Sequence, residues 1–498
     1  MKTTTMVKAV VSASAACLVL AVAPATVAYA SGATNVPCAG PDGGAAGLVA
    51  AIGAANGSGG GTINLAWGCH YSLTSADNGE NGLPVVISRI TINGNGATIN
   101  GSGAVRILEV DGPTGDLSVR NLTLTGGAAS DFGGAIFNAG GTVTLSGSVV
   151  RGNSAVIAGG GIASGTFGPN GTGTLTLISS QVVNNSSPGT GNGDGTGGGI
   201  VNAQGIATLT FTRVADNFAG GPAGGGIANG NYMGGSGPTS TLTLNFSQVD
   251  DNTAPNAGGG GIQNLAGTVT LNLSQVDGNT SLNGGGIASG NGNGGAAGGA
   301  PPGTSQLVLN LSQVNGNTAT APVPLPGQGP PIAAGGIANG GNAVLNASEV
   351  DGNTATATSG AGIVNHGTMT INWSQVNHNV AAGKRGAASG GGIVNADIGP
   401  ITGAAVSGVL TINYSQVNGN NAGGLGGGIL NGLPSPKMSL PGRTLTLNHS
   451  QVNGNSAGLG GGGIYNVAGG PVTLVSTSVN GNNPDNCEPT ATIAGCTG

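Results

Sequence analysis

Short runs in which aliphatic residues alternate with Thr recur through most of the 498-residue chain, each followed by polar punctuation. In Thr268-Val269-Thr270-Leu271 the aliphatics flank Thr270 with period two, the pattern of a strand that turns Val269 and Leu271 inward and Thr270 outward. The run is too short and too β-branched for a helix. Ser274-Gln275-Val276 predicts a second short strand and Gly286-Ile287-Ala288 a third. Three strands per coil, broken at Asn or Gly where the backbone takes unusual φ values, predict an all-β, triangular right-handed parallel β-helix, a solenoid.

The period supports this reading. The Asn that closes each Ser-x-Val-x-x-Asn phrase, with Thr for Ser in two copies, recurs eleven times from Asn153 to Asn482, at intervals of 26 to 41 residues. Such spacing means stacked coils rather than one globular core. Stacking places Leu145, Leu271 and Leu447 in one inward column and Ile136, Ile287 and Ile464 in another, with about 4.8 Å between neighbouring strands. The Asn column predicts a side-chain amide ladder, because each amide can donate to one adjacent coil and accept from the other. Upstream, Leu48, Ile52 and Ala55 share one face of a predicted helix over Ala45 to Asn56, which caps the open end. Irregular coils at Ile63, Ile90 and Leu117 follow, for about fourteen coils in all. The expected organisation is a signal peptide over 1–30, an N-terminal cap with irregular first coils over 31–130, regular repeats over 131–483 and a C-terminal cap over 484–498.

Composition changes the picture only at the margins. With 105 Gly and 6% charged residues, a chain without a repeat would suggest disorder. Here the Gly residues sit at fixed phases, as ordered turns require. Lys2 and Lys8, the apolar run from Val10 to Ala23 and the ending Ala28-Tyr29-Ala30 read as a secretory signal. No later stretch reaches the roughly eighteen apolar residues of a membrane helix, so the expected location is extracellular, free or held noncovalently at a cell surface. Beyond the signal, Cys38, Cys69, Cys487 and Cys496 allow three pairings. Because a solenoid separates its ends, Cys38 with Cys69 and Cys487 with Cys496 are the pairs expected, in an oxidising compartment. A net charge of -6 and no basic cluster larger than Lys384-Arg385 argue against nucleic acid as a partner.

Gly133-Gly134-Ala135-Ile136 carries a phrase that pairs with Phe-x-x-Asn in the repeats of polymorphic outer membrane proteins; here the second phrase becomes Val-x-x-Asn, as in Val276 to Asn279. Through Ala50-Ala51-Ile52-Gly53-Ala54-Ala55-Asn56, Gly60-Gly61-Thr62-Ile63-Asn64-Leu65, Cys69 and Tyr71-Ser72-Leu73-Thr74, the chain also resembles secreted bacterial parallel β-helix proteins. The resemblance implies a pectate-lyase-like fold. Its members include polysaccharide-cutting enzymes, adhesins and passenger domains, so it implies no single activity.

Candidate chemistry is sparse. Asp250, Asp251 and Asp277 are the acidic group on adjacent coils and a candidate Ca²⁺ site, against a plain turn preference for Asp and Asn at that phase. Arg213, one coil earlier, is the single candidate base for a lyase. No other cofactor is expected. The position just before Ser-Gln-Val holds Phe211, Phe246, Leu273, Leu311, Ala347, Trp373, Tyr414 and His449. Facing outward, this row would stack on sugar rings or on a partner surface; facing inward, it would be core. Phe211, Phe246, Trp373 and Tyr414 are the candidate contacts, with a polysaccharide or cell-surface component as partner. The expected function is a secreted, noncatalytic β-helix acting in surface adhesion or carbohydrate binding. The alternatives are a polysaccharide lyase or glycoside hydrolase and a structural spacer in the envelope.

Overall fold

The computed structural model describes residues 33–41, 43–165, 172–191, 194–230, 240–290, 304–320, 332–356, 358–383, 388–397, 407–433, 443–467 and 470–497. The expected signal peptide, Lys384-Arg385 and most of the longer corner insertions lie outside these residues. Ala33–Gly498 forms one compact unit. It is a parallel β-helix built from three long sheets of 27, 13 and 11 strands.

Each regular coil contributes four short strands, one more than expected. In one coil these are Thr268–Asn272, Gln275–Asp277, Thr280–Asn283 and Ile287–Ser289. They pair in parallel and in phase with the coil before, Leu271 with Leu244, Val276 with Val249, Thr280 with Thr253 and Ile287 with Ile262. The first two strands of every coil belong to the 27-stranded sheet, so four strands per coil still make three sheets. The extra strand escaped the hydrophobic pattern because its inward residues are small. Ala254, Ser281, Ala319 and Ala355 are fully buried there, and Ala or Ser gives no aliphatic signature. The sheets of 13 and 11 strands close about thirteen full turns, slightly fewer than the count of Leu-Thr-Leu strands suggests.

The core is one continuous column of Leu, Val and Ile, with Leu271, Val276 and Ile287 typical in having no exposed surface. The coil is narrow where Gly-Gly-Gly precedes Ile. A Cβ on Gly285 would lie 2.5 Å from the carbonyl oxygens of both Gly335 and Thr318, so backbone packs directly on backbone.

Polar groups at the bends are satisfied along the stack. The Nδ2 of Asn317 donates to Oδ1 of Asn353 at 3.0 Å and to the carbonyl of Val276 at 2.8 Å. Its Oδ1 accepts from the backbone N–H and the Nδ2 of Asn279, both at 2.9 Å. The same bonds run from Asn153 to Asn482. A second buried ladder, absent from the sequence reading, joins Asn339, Asn365, Asn395, Asn431 and Asn466 at 2.8–2.9 Å.

The helix Gly44–Gly57 buries Leu48, Ala51, Ile52 and Ala55. Asn56 ties it to the first coils: its Nδ2 donates to the Val85 carbonyl at 2.7 Å and its Oδ1 accepts from Ile87 N–H and Ser88 Oγ. Cys38 is bonded to Cys69 and Cys487 to Cys496, with Cα separations of 5.5 and 6.2 Å.

Candidate functional site

The corner between the Leu-Thr-Leu strand and the Gln-Val strand carries the aromatic row. Phe211, Phe246, Leu273, Leu311, Ala347, Trp373, Tyr414 and His449 all have φ between 48 and 54°. This is the left-handed region, which bulky side chains avoid at a cost of about 1–2 kcal/mol each. Asn121 and Gly147 hold the same corner in earlier coils, also at positive φ. Asn and Gly are the residue types that left-handed backbone favours, a signal at this phase that the sequence offered and that went unread. With the chain bent this way the side chains point out of the coil: Trp373 is 63% exposed, Phe211 59%, Leu311 49% and Tyr414 48%.

The rings stack on one another along the row. Trp373 and Tyr414 lie 4.2 Å apart between centroids at an interplanar angle of 7°, and Tyr414 and His449 lie 4.9 Å apart at 12°. Phe211 and Phe246 stack at 5.1 Å. Parallel strands about 4.8 Å apart dictate this spacing. Trp67, 88% exposed on the same corner of the first coil, was missed by sequence reasoning because no repeat phase marks it.

The Asn-x-Ser phrase beside this corner resolves into two further ladders. The Asn side chains face outward and bond coil to coil, as from Asn346 to Asn310 at 3.0 Å and from Asn372 to Asn346 at 3.0 Å. The Ser side chains are buried and accept the preceding coil's backbone N–H, as Ser374 does from Ser348 at 2.9 Å.

On the other side of the row lies a belt of Gln and acidic residues. Arg213 is closer to the acidic group than sequence position implied. In-register pairing sets Ala215 against Asp250, and Arg213 Nε reaches Asp250 Oδ2 at 3.1 Å, with Asp216 at 3.8 Å. The guanidinium is thus taken up in ion pairs with two carboxylates. Burial raises the Asp250 pKa against the pull of Arg213. Asp277 is pushed up to about 6, first by burial and then by the charges of Asp250, Glu349 and Asp251, against a backbone hydrogen bond from Asn315. Among the described residues no three His, Cys, Asp or Glu side chains converge as metal ligands, the acidic group Asp250, Asp251 and Asp277 included. Asp250 is turned to Arg213 and Asp277 to the N–H of Asn315 at 3.1 Å.

Two polar departures from the repeat were also missed. Glu349 replaces Gln between Gln313 and Gln375, and Gln313 Nε2 donates to it at 3.3 Å. His378, exposed and at positive φ where most coils carry Gly, places Nδ1 2.8 Å from Asp351 Oδ1. His366, by contrast, is fully buried, and burial lowers its pKa to about 4. Two buried cations are structural in their contacts: Arg443 bonds Asp397 at 2.7 Å, and Arg106 joins Asn81, Glu109, Asp131 and the Phe132 carbonyl.

Fold and surface together define a parallel β-helix with an exposed aromatic corner. No family model matches the chain, so the likeness to polymorphic outer membrane protein repeats rests on the quoted residues alone. No curated protein matches it either. Among solved structures, the chain is similar to the A-module of Azotobacter vinelandii mannuronan C-5 epimerase AlgE6 at 12% identity and a TM-score of 0.44, over 90% of this chain and 99% of that one. No activity is inferred from that likeness. Among the described residues, no helix is long and apolar enough to cross a membrane.

Proposed function

We propose that this protein is a secreted, noncatalytic β-helix that binds a carbohydrate or a glycan-bearing surface through the corner row Phe211, Phe246, Trp373 and Tyr414. One observation carries the reading: large rings occupy exposed left-handed positions where Asn121, Gly147, Ser179 and Ser476 serve elsewhere. Strain of this kind, displayed to solvent, is what a binding residue accepts and a packing residue does not. The two disulfides support an extracytoplasmic destination, and the boundaries 1–30, 31–130, 131–483 and 484–498 belong to the same proposal.

The test is a glycan array and cell-wall pulldown with the mature protein, repeated with Trp373→Asn and Tyr414→Asn. Binding is expected to fall at least tenfold while thermal stability stays within a few degrees, because Asn suits left-handed backbone. Retention of all binding by the double variant would overturn the reading.

A second reading, a polysaccharide lyase or hydrolase, is supported by the Asp250 and Asp277 pair on adjacent coils, where burial raises both carboxyls, Asp277 to about 6, toward the range a general acid needs. Release of reducing or unsaturated ends from a polysaccharide panel, lost in Asp277→Ala, would establish it in place of the binding reading.

A further inference from the structure

From Phe211 to His449 the corner row is filled by Phe, Phe, Leu, Leu, Trp, Tyr and His, with one small residue, Ala347, between Leu311 and Trp373. The strands that hold them are in register, Asn310 with Asn346 and Asn346 with Asn372, so Leu311 and Trp373 stand two coils apart over Ala347. Two strand spacings make about 9–10 Å, room for one ring in van der Waals contact with each wall. The exposures agree. Tyr414, covered by a ring on each face, is 48% exposed, whereas Trp373, stacked on one side only, is 63% exposed.

The repeat is broken twice more on this coil and the next. Glu349 follows Ala347 on the outer side of the same coil, and in the Gln column from Gln248 to Gln451 it is the one charged residue. His378 reaches back from the next coil to Asp351 of this one. Glu349 stands two residues after Ala347, and its charge also acts on Asp277, so it sets a carboxylate beside the gap. An acidic sugar would be repelled there and a protonated amine attracted.

We infer that the gap over Ala347 is a single-ring subsite for an amino sugar of a glycan, its pyranose ring held between Leu311 and the free face of Trp373 and its ammonium group facing Glu349. This rests on the carbohydrate reading above and narrows its substrate class. The inner faces of the Trp373, Tyr414 and His449 stack are occupied by one another, so the row offers a sugar one full aromatic face here. Stacking on that face and attraction to the carboxylate act together on this coil.

Trp67 and Trp373 are the two tryptophans, so Trp67→Phe leaves Trp373 as the sole fluorescent reporter. In that background the protein is titrated with glucosamine oligomers, N-acetylglucosamine oligomers, cello-oligosaccharides and oligogalacturonate. Saturable change in Trp373 emission is expected with the glucosamine oligomer, at least tenfold tighter than with the neutral sugars and with none for oligogalacturonate. Ala347→Phe fills the gap with a residue the corner already accepts and should abolish the change while the protein stays folded by circular dichroism. Glu349→Gln should erase the preference for the amino sugar and leave neutral binding alone. Unchanged affinity in Ala347→Phe, or equal binding of acidic and amino sugars, would overturn the subsite. If glycans bind and are lost in Trp373→Asn with Ala347→Phe silent, the subsite falls and the wider reading stands; if no glycan binds, both fall.

Discussion

Asp277 shows how one residue can oppose the fold that contains it. Its carboxyl titrates at about 6 against an ordinary 3.8, because burial and the neighbouring charges disfavour the anion. In the unfolded chain the proton leaves first as pH rises, so stability present below about pH 4 is lost as pH passes through 6, by about 3 kcal/mol. Asp277→Asn removes the charge and installs the residue type that Asn377 represents at the same phase, where the Asn377 Oδ1 accepts the Asn418 N–H at 3.0 Å. Urea unfolding should show the Asp277→Asn variant more stable than the parent by about 2–3 kcal/mol at pH 7.5 and unchanged at pH 3.5. An equal gain at both values would trace the effect to packing instead of charge. The sequence showed that Asp250 and Asp277 share a phase. It did not show Arg213 bonded to the first or Glu349 acting on the second, because both relations cross between coils whose spacing in sequence varies.

The Asn ladder is the element that holds one corner of every coil. Asn317, in mid-ladder, makes four hydrogen bonds with no exposed surface, so removing it strands groups on both neighbours. Asn317→Ala should cost about 3–5 kcal/mol by chemical unfolding. Asn482, at the C-terminal end and only half-buried, should cost about half as much in the same measurement. Equal effects would mean that the ladder is not cooperative along its length. The sequence made this ladder legible through its strict phase. The second buried ladder, Asn339 to Asn466, was equally periodic but read only as part of the Gly-Ile strand, since the Ile-x-Asn phrase does not say which way the amide faces.

At the scale of the whole molecule, a solenoid is stabilised coil by coil, and each end is its weak point. The Cys38–Cys69 bond closes a loop with a sequence separation of 31 at the helix-capped end. Losing it in a Cys38→Ala, Cys69→Ala variant should remove about 3–4 kcal/mol, mainly from the first coils. Hydrogen exchange is the measurement: Gly60–Leu65 should lose protection while Thr268–Asn272, several coils inside, keeps it. Uniform loss across both strands would show that the body unfolds as a single unit.

The sequence by itself determined the parallel β-helix, its capping helix, the pairing of its cysteines and the Asn ladder, because a repeat writes the same side-chain period into every coil and local pattern suffices to read it. It also marked the corner row as a place where the period holds but the residue type does not. Only the tertiary structure decided that these rings face water, that they stack in two groups, and that His378 reaches Asp351 and the Glu349 charge reaches Asp277 across coils. Those facts depend on left-handed φ at the corner and on which residues become neighbours about 4.8 Å away after intervals that vary along the chain. Sequence order does not carry that information.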